Sequence, residues 1–176
     1  PRLRLRHIPL EKCPPWLGVD RALGAWEAWQ RELQCSSPSD RGLLLADAGT
    51  VLSLTLLDRY GHFLGGQLIP GLHLQLRSMG LATSLLPGDV KLEMVPDELF
   101  PAATDQAMRR GVIQSIVASV EDAQRTSGAS LWVCGGDAPL LESELNSRGI
   151  RCRSDSTLQL QAMVRLLDQF SPAPDR

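Results

Sequence analysis

A chain of 176 residues, 43% hydrophobic and 22% charged, holds enough apolar material for one buried core and points to a soluble globular domain. Its formal net charge of −2 gives no electrostatic pull toward nucleic acid or an anionic membrane, and no apolar run approaches the about 20 residues of a membrane span. The four cysteines, Cys13, Cys35, Cys134 and Cys152, are scattered without paired spacing, which argues against a zinc site or a disulfide framework and fits reduced thiols in a cytoplasm.

Arg2, Arg4 and Arg6 alternate with Leu3 and Leu5, as in a strand with one wet face; a basic interaction arm is the alternative. Leu23, Trp26, Trp29 and Leu33 then recur at helical steps and predict an amphipathic helix from Ala22 to Leu33, with Asp20 where an N-cap would stand. The two tryptophans fit either a core or a partner surface. The Ser36-Ser37-Pro38-Ser39-Asp40 cluster breaks the pattern and reads as the internal linker. After it come strands at Leu43 to Ala46, Val51 to Leu57 and His62 to Ile69, an antiparallel meander with Asp58-Arg59-Tyr60-Gly61 as its second turn.

Pro70-Gly71 opens a helical pattern through Leu72, Leu76 and Met79, and Pro87 to Pro101 is an irregular connection. A long helix follows, with Thr104 as its N-cap and Met108, Val112, Ile116 and Val120 on one face, suited to core or to a partner. Gly111 interrupts it, so close approach of another backbone is expected there. Ser130 to Cys134 is a buried strand ending in Gly135-Gly136-Asp137. A helix from Ala138 to Asn146, a strand from Ile150 to Arg153 and a helix from Thr157 to Phe170 complete the order, and Ser171 to Arg176 reads as a frayed tail. A meander followed by right-handed crossovers makes an α/β fold: a five-stranded mixed sheet flanked by helices.

This strand order is that of one half of the actin-like ATPase and sugar-kinase (ribonuclease H-like) architecture, and it gives meaning to Asp47-Ala48-Gly49-Thr50. A nucleotide's phosphates and their cation want a carboxylate, a turn small enough for backbone N–H groups to approach, and a hydroxyl donor. Asp47, Gly49 and Thr50 supply these, although an ordinary hairpin turn would use the same residues.

More specific is the ordered set Gly18-Val19-Asp20-Arg21, Asp47-Ala48-Gly49-Thr50, Gly65-Gly66 through Pro70-Gly71-Leu72, Thr104 with Gly111, and Gly135-Gly136-Asp137-Ala138. In these segments the chain resembles the carboxy-terminal two-thirds of type III pantothenate kinases, which phosphorylate pantothenate with ATP in the first step of coenzyme A synthesis. The resemblance implies Asp20 as proton acceptor, with Gly18, Val19, Asp20, Arg21 and Thr104 binding pantothenate. It implies Gly49 and Thr50 as contacts for ATP, which enters with Mg2+, and Asp47 as ligand of a monovalent cation, K+ or NH4+. It further implies a homodimer in the cytoplasm, with no nucleic-acid or membrane partner. Residues 1–40 then read as a remnant of a first domain with its connecting helix, and 41–170 as the actin-like second domain.

Departures accompany the match. No Asp-x-Gly-Asn-Thr/Ser phosphate loop precedes Gly18, the aromatic residue usual before Gly-x-Asp-Arg is represented only by Trp16, and Ala103 stands where Asn is common. The expectation drawn from these is a truncated kinase, inactive by itself. Two alternatives stay open: a catalytically dead relative serving as a binding or transcription-accessory module, and an actin-like nucleotide-binding domain with no kinase role. His7, His62 and His73 show no ligand spacing.

Overall fold

A computed structural model describes residues 3–92 and 94–170, with side chains of the last helix described through Leu167. The expected frayed tail from Ser171 lies outside the described residues. Strands β1 (Leu43–Ala48), β2 (Val51–Leu57), β3 (Phe63–Pro70), β4 (Ser130–Cys134) and β5 (Arg153–Ser154) form a five-stranded sheet in the order β3-β2-β1-β4-β5. The meander β1-β2-β3 is antiparallel and β4 and β5 join in parallel, so the expected mixed sheet is what the chain builds. Helices α1 (Val19–Glu32), α2 (Leu72–Ala82), α3 (Thr104–Ser127), α4 (Ala138–Ser147) and α5 (Leu158–Phe170) flank it.

Central strand β1 is buried on both faces, which is why it reads as a continuous apolar run. Leu44, Ala46 and Ala48 face a core shared with α2, α3 and α4. Leu43 and Leu45 face a second core with α1 and α5, where Trp26 and Trp29 are buried, so both tryptophans are core. The face of α3 carrying Met108, Val112, Ile116 and Val120 is likewise core rather than partner surface.

Several local expectations give way to tertiary context. Helix α1 begins earlier than its apolar pattern, with Gly18 at the N-cap, so Asp20 is the second helical residue rather than the cap. Thr104 is also inside its helix, and Ala103 takes the N-cap position. Strand β1 continues through Asp47 and Ala48, because the ladder with β2 runs on to Asp47↔Ser53 and Ala48↔Leu52; Asp47 is a strand residue, not part of the turn.

Leu5–His7 form a short 3₁₀ turn instead of a strand, since Ile8 and Leu10 just beyond it bury against the α1 face. Among the described residues nothing approaches within 4 Å of where a Cβ of Gly111 would lie, so no described backbone packs there. The last strand pairs only at Arg153 and Ser154: the chain leaves α4 through Gly149 at φ 76° and meets β4 late. Among the described residues no helix is long and apolar enough to cross a membrane.

Candidate active site

Two-residue alternation along β1 decides which side chains meet. It sends Asp47, like Leu43 and Leu45, to the α1 and α5 side at the strand's carboxyl end. There Asp47 is half-buried, and its Oδ2 accepts a hydrogen bond from Gln159 Nε2 of α5 at 2.8 Å. Cys134, its register partner on β4, lies beside it. Burial pushes the Asp47 carboxyl above its ordinary value; the Cys134 thiol opposes this, the negative charge of Asp20 adds to it, and the Gln159 amide opposes it. Burial, then the charge of Asp47, pushes the Cys134 thiol up as well, so it stays a neutral thiol.

Asp20 is exposed in the first turn of α1 and close enough to Asp47 for the two charges to interact. The next residue fixes that helix end. Arg21 donates Nε to Thr55 Oγ1 at 2.6 Å and Nη2 to the Leu54 carbonyl at 2.6 Å, both on β2, and its guanidinium lies 5.8 Å from the centre of the Phe63 ring. It then rests over Gly66 of β3, where a Cβ would collide with both Arg21 Nη2 and the Leu54 carbonyl. The second glycine of Gly65-Gly66 is therefore room for Arg21.

The turn after β1 is held from below. The Thr50 carbonyl accepts Gly71 N–H and the Ala48 carbonyl accepts Asp137 N–H, each at 2.9 Å. Gly135 has φ 93°, and a Cβ there would press on the Ala48 carbonyl and stand 2.6 Å from Asp47 Oδ1. Only glycine lets the β4–α4 loop come this close to the carboxylate. Asp137 beside it is pushed up by burial, with His73, 3.8 Å away, opposing the rise.

Asp20, Asp47, Gly49, Thr50 and the Gly135-Gly136-Asp137 loop thus gather at the carboxyl ends of the parallel pair β1 and β4, the edge where open α/β sheets place ligands. Thr50 is exposed and Gly49 half-exposed, so the turn is accessible. The donors are oxygens, and among the described residues no group of three or more His, Cys, Asp and Glu side chains could hold a metal. Oxygen donors of this kind suit a hard cation rather than a soft one.

Thr104 is not part of this cluster. It is exposed, and no hydrogen bond or ion pair of the described residues ties it to Asp20 or Asp47. From Ile113, buried under the sheet, nine residues at about 1.5 Å each carry Thr104 roughly 14 Å along the helix axis. Sequence reasoning missed Gln159 and Cys134 as neighbours of Asp47. Neither carries a local signal: Gln159 is a polar residue beside core Leu158, and Cys134 ends an apolar strand.

The sequence model of the family described as type III pantothenate kinase matches residues 8–126. Proteins named type III pantothenate kinase are similar along nearly the whole chain. One from Synechococcus elongatus is 33% identical, with 99% of this chain and 68% of the relative covered. Another, from a Synechococcus species, is 34% identical, with 92% and 66% covered. The chain therefore spans about two thirds of the length of these relatives. Among solved structures, a conserved putative Baf family transcriptional activator from Campylobacter jejuni shares the fold at TM-score 0.68 and 18% identity, over 93% of this chain and 70% of that one.

Proposed function

Because the chain belongs to the type III pantothenate kinase family, we propose, for the full-length form, ATP-dependent phosphorylation of pantothenate to 4′-phosphopantothenate, the first step of coenzyme A synthesis. The observation that carries this reading is the placement of Asp47 and the open Gly49-Thr50 turn at the carboxyl ends of β1 and β4, with the start of α1 tied to β2 by Arg21.

Asp20 acts as the base. Exposed on the first turn of α1, it accepts the proton of pantothenate's primary hydroxyl as that oxygen attacks the γ-phosphoryl group, and it positions the nucleophile in doing so. Gly18, Val19 and Arg21 form the adjoining substrate wall, with Arg21 fastening it to β2. Gly49 and Thr50 offer backbone N–H groups and a hydroxyl to the phosphates of ATP, which arrives as its magnesium complex. Asp47 would hold a potassium or ammonium ion, whose charge offsets that of the phosphates.

Thr104 stands apart from Asp20 within one chain, and this supports a homodimer in which the partner's Thr104 completes the pantothenate pocket. The apolar inner face of α3 is committed to the core, so such an interface uses the outer side, where exposed Leu99, Phe100 and Gly111 border a hollow. A cytoplasmic location fits both the substrates and the free cysteines.

ADP release with ATP, magnesium, potassium and pantothenate tests the reading. Asp20→Asn is expected to lower pantothenate-dependent turnover by about a hundredfold or more with the melting temperature nearly unchanged. Wild-type turnover in the variant would leave Asp20 without a catalytic role. ATP and pantothenate binding with no turnover in the wild type would favour the binding-module alternative.

A further inference from the structure

Gln159 lies outside the matched residues 8–126, yet its side chain reaches the centre of the site. It passes between α1 and β1, donates Nε2 to Asp47 Oδ2 at 2.8 Å and comes within 3.8 Å of Cys134 Sγ. It packs beside Gly24 of α1, where a Cβ would stand 3.5 Å from Gln159 Nε2, in ordinary contact, and 3.2 Å from Leu45 Cδ2. The helix that carries Gln159 is itself anchored. Leu158 and Leu166 are buried in the core, and Arg165 grips the buried Glu27 of α1 through two hydrogen bonds of 2.8 and 3.0 Å. Gln159 is thus presented from a rigid element, as precise orientation of a partner requires.

The choice of an amide is informative. A lysine or arginine in its place would neutralise Asp47 and compete with any cation. An amide fixes the carboxylate without adding charge. Among the described residues the neighbours acting on Asp47 are the Cys134 thiol, the Asp20 carboxylate and the Gln159 amide, and none of these three supplies positive charge. With Oδ2 held by Gln159, Oδ1 is the oxygen that faces Gly135, beside the Ala48 carbonyl.

We propose that Gln159 is a positioning residue: by holding Oδ2 of Asp47 it presents Oδ1, together with the Ala48 turn, to a monovalent cation of the potassium class. The inference rests on the reading of Asp47 as a cation ligand. It assigns to α5, far along the chain, a part in the ion dependence of a site whose other residues come from α1, the β1–β2 hairpin and the end of β4 with its following loop.

Thermal unfolding in rising potassium chloride, with sodium chloride holding ionic strength constant, reads ion binding without turnover. The wild type is expected to gain stability with potassium over sodium, and Asp47→Asn to lose that gain. Gln159→Met keeps the length of the side chain and removes the donor, and Gln159→Asn keeps the amide but shortens its reach. In both, the potassium concentration giving half the effect is expected to rise roughly tenfold. If the Met variant does not fold, the Asn variant carries the test.

A merely structural glutamine would lower the unfolding midpoint equally in both salts and leave the half-effect concentration unchanged. That result, with the wild-type response still abolished by Asp47→Asn, overturns the role of Gln159 alone. Equal responses of the wild type to potassium and sodium overturn the Asp47 reading and this one with it.

Discussion

On one face of the sheet α2, α3 and α4 bury an aliphatic layer that includes Leu44, Ile113, Ile116, Val117, Val120 and Leu145. On the other, α1 and α5 bury Trp26, Trp29 and Trp132 together with two carboxylates, Glu27 and Glu32, each no more than 1% exposed. Aliphatic side chains need only volume and contact. A buried carboxylate needs donors, or the cost of leaving water is not recovered.

Both carboxylates have them. Glu27 meets Arg31 and Arg165, and Glu32 accepts from Ser39 N–H, Ser130 Oγ, Trp132 Nε1 and Arg153 Nη1 at 2.8 to 3.1 Å. These bonds tie α1 to α5, β4 and β5. Asp20, Asp47 and Gln159 lie on this same face, so the helix bearing the proposed base is held by directional bonds as well as by packing. The difference teaches that the aliphatic face supplies the platform and the polar face fixes the orientation of the site.

Substitution of Glu32 should break this contrast most sharply. Glu32→Ala removes the shared acceptor of four donors and leaves Arg153 and Trp132 Nε1 without it, so a loss of about 3–5 kcal/mol is expected in denaturant unfolding. A loss below about 1 kcal/mol would show that the network is replaceable by water.

On the aliphatic face the corresponding change is smaller. Ile113→Val deletes one buried methylene from a residue 1% exposed and is expected to cost about 1 kcal/mol, with little change in kinase kinetics. A large fall in turnover at unchanged stability would mean that this face contributes more than a platform.

The smallest effect is expected at the rim of the polar face, and it depends on pH. Burial alone would raise the Asp155 carboxyl, but Thr157 and Arg31 outweigh it and hold it below its ordinary value. A carboxyl lowered by folding contributes stability above its unfolded value of about 3.9, and that contribution is lost as pH falls through the folded value. Asp155→Ala is therefore expected to cost about 0.5 kcal/mol near neutrality, in part as a lost cap-like bond to Thr157 N–H, and the gap to wild type should narrow below about pH 4. A gap that is constant with pH would assign the effect to packing.

The sequence by itself determined the order of elements and most of their extents. Short apolar runs bounded by turn residues set β1 to β4, helical steps set α1 and α3, and Pro70-Gly71 marked the start of α2, because these signals lie within a few residues of one another. It also pointed to Asp47, Gly49 and Thr50 as a set that suits phosphate and cation chemistry, while the family resemblance, not the residue pattern, marked Asp20 as the base.

Tertiary structure decided what no window along the chain contains. Gln159 meets Asp47 across 112 residues, Glu32 meets Trp132 across 100, and Gly66 is shaped by Arg21 on another element. Glu27 and Glu32 are charged residues of α1 whose burial comes from α5, β4 and β5. Asp20 and Thr104 each look like an N-cap in sequence, yet each is a helical residue, because the chain enters those helices one or two residues sooner than the side-chain pattern marks. A local pattern fixes which face of an element is apolar; which partner arrives on that face is set by the crossovers that bring distant strands and helices together.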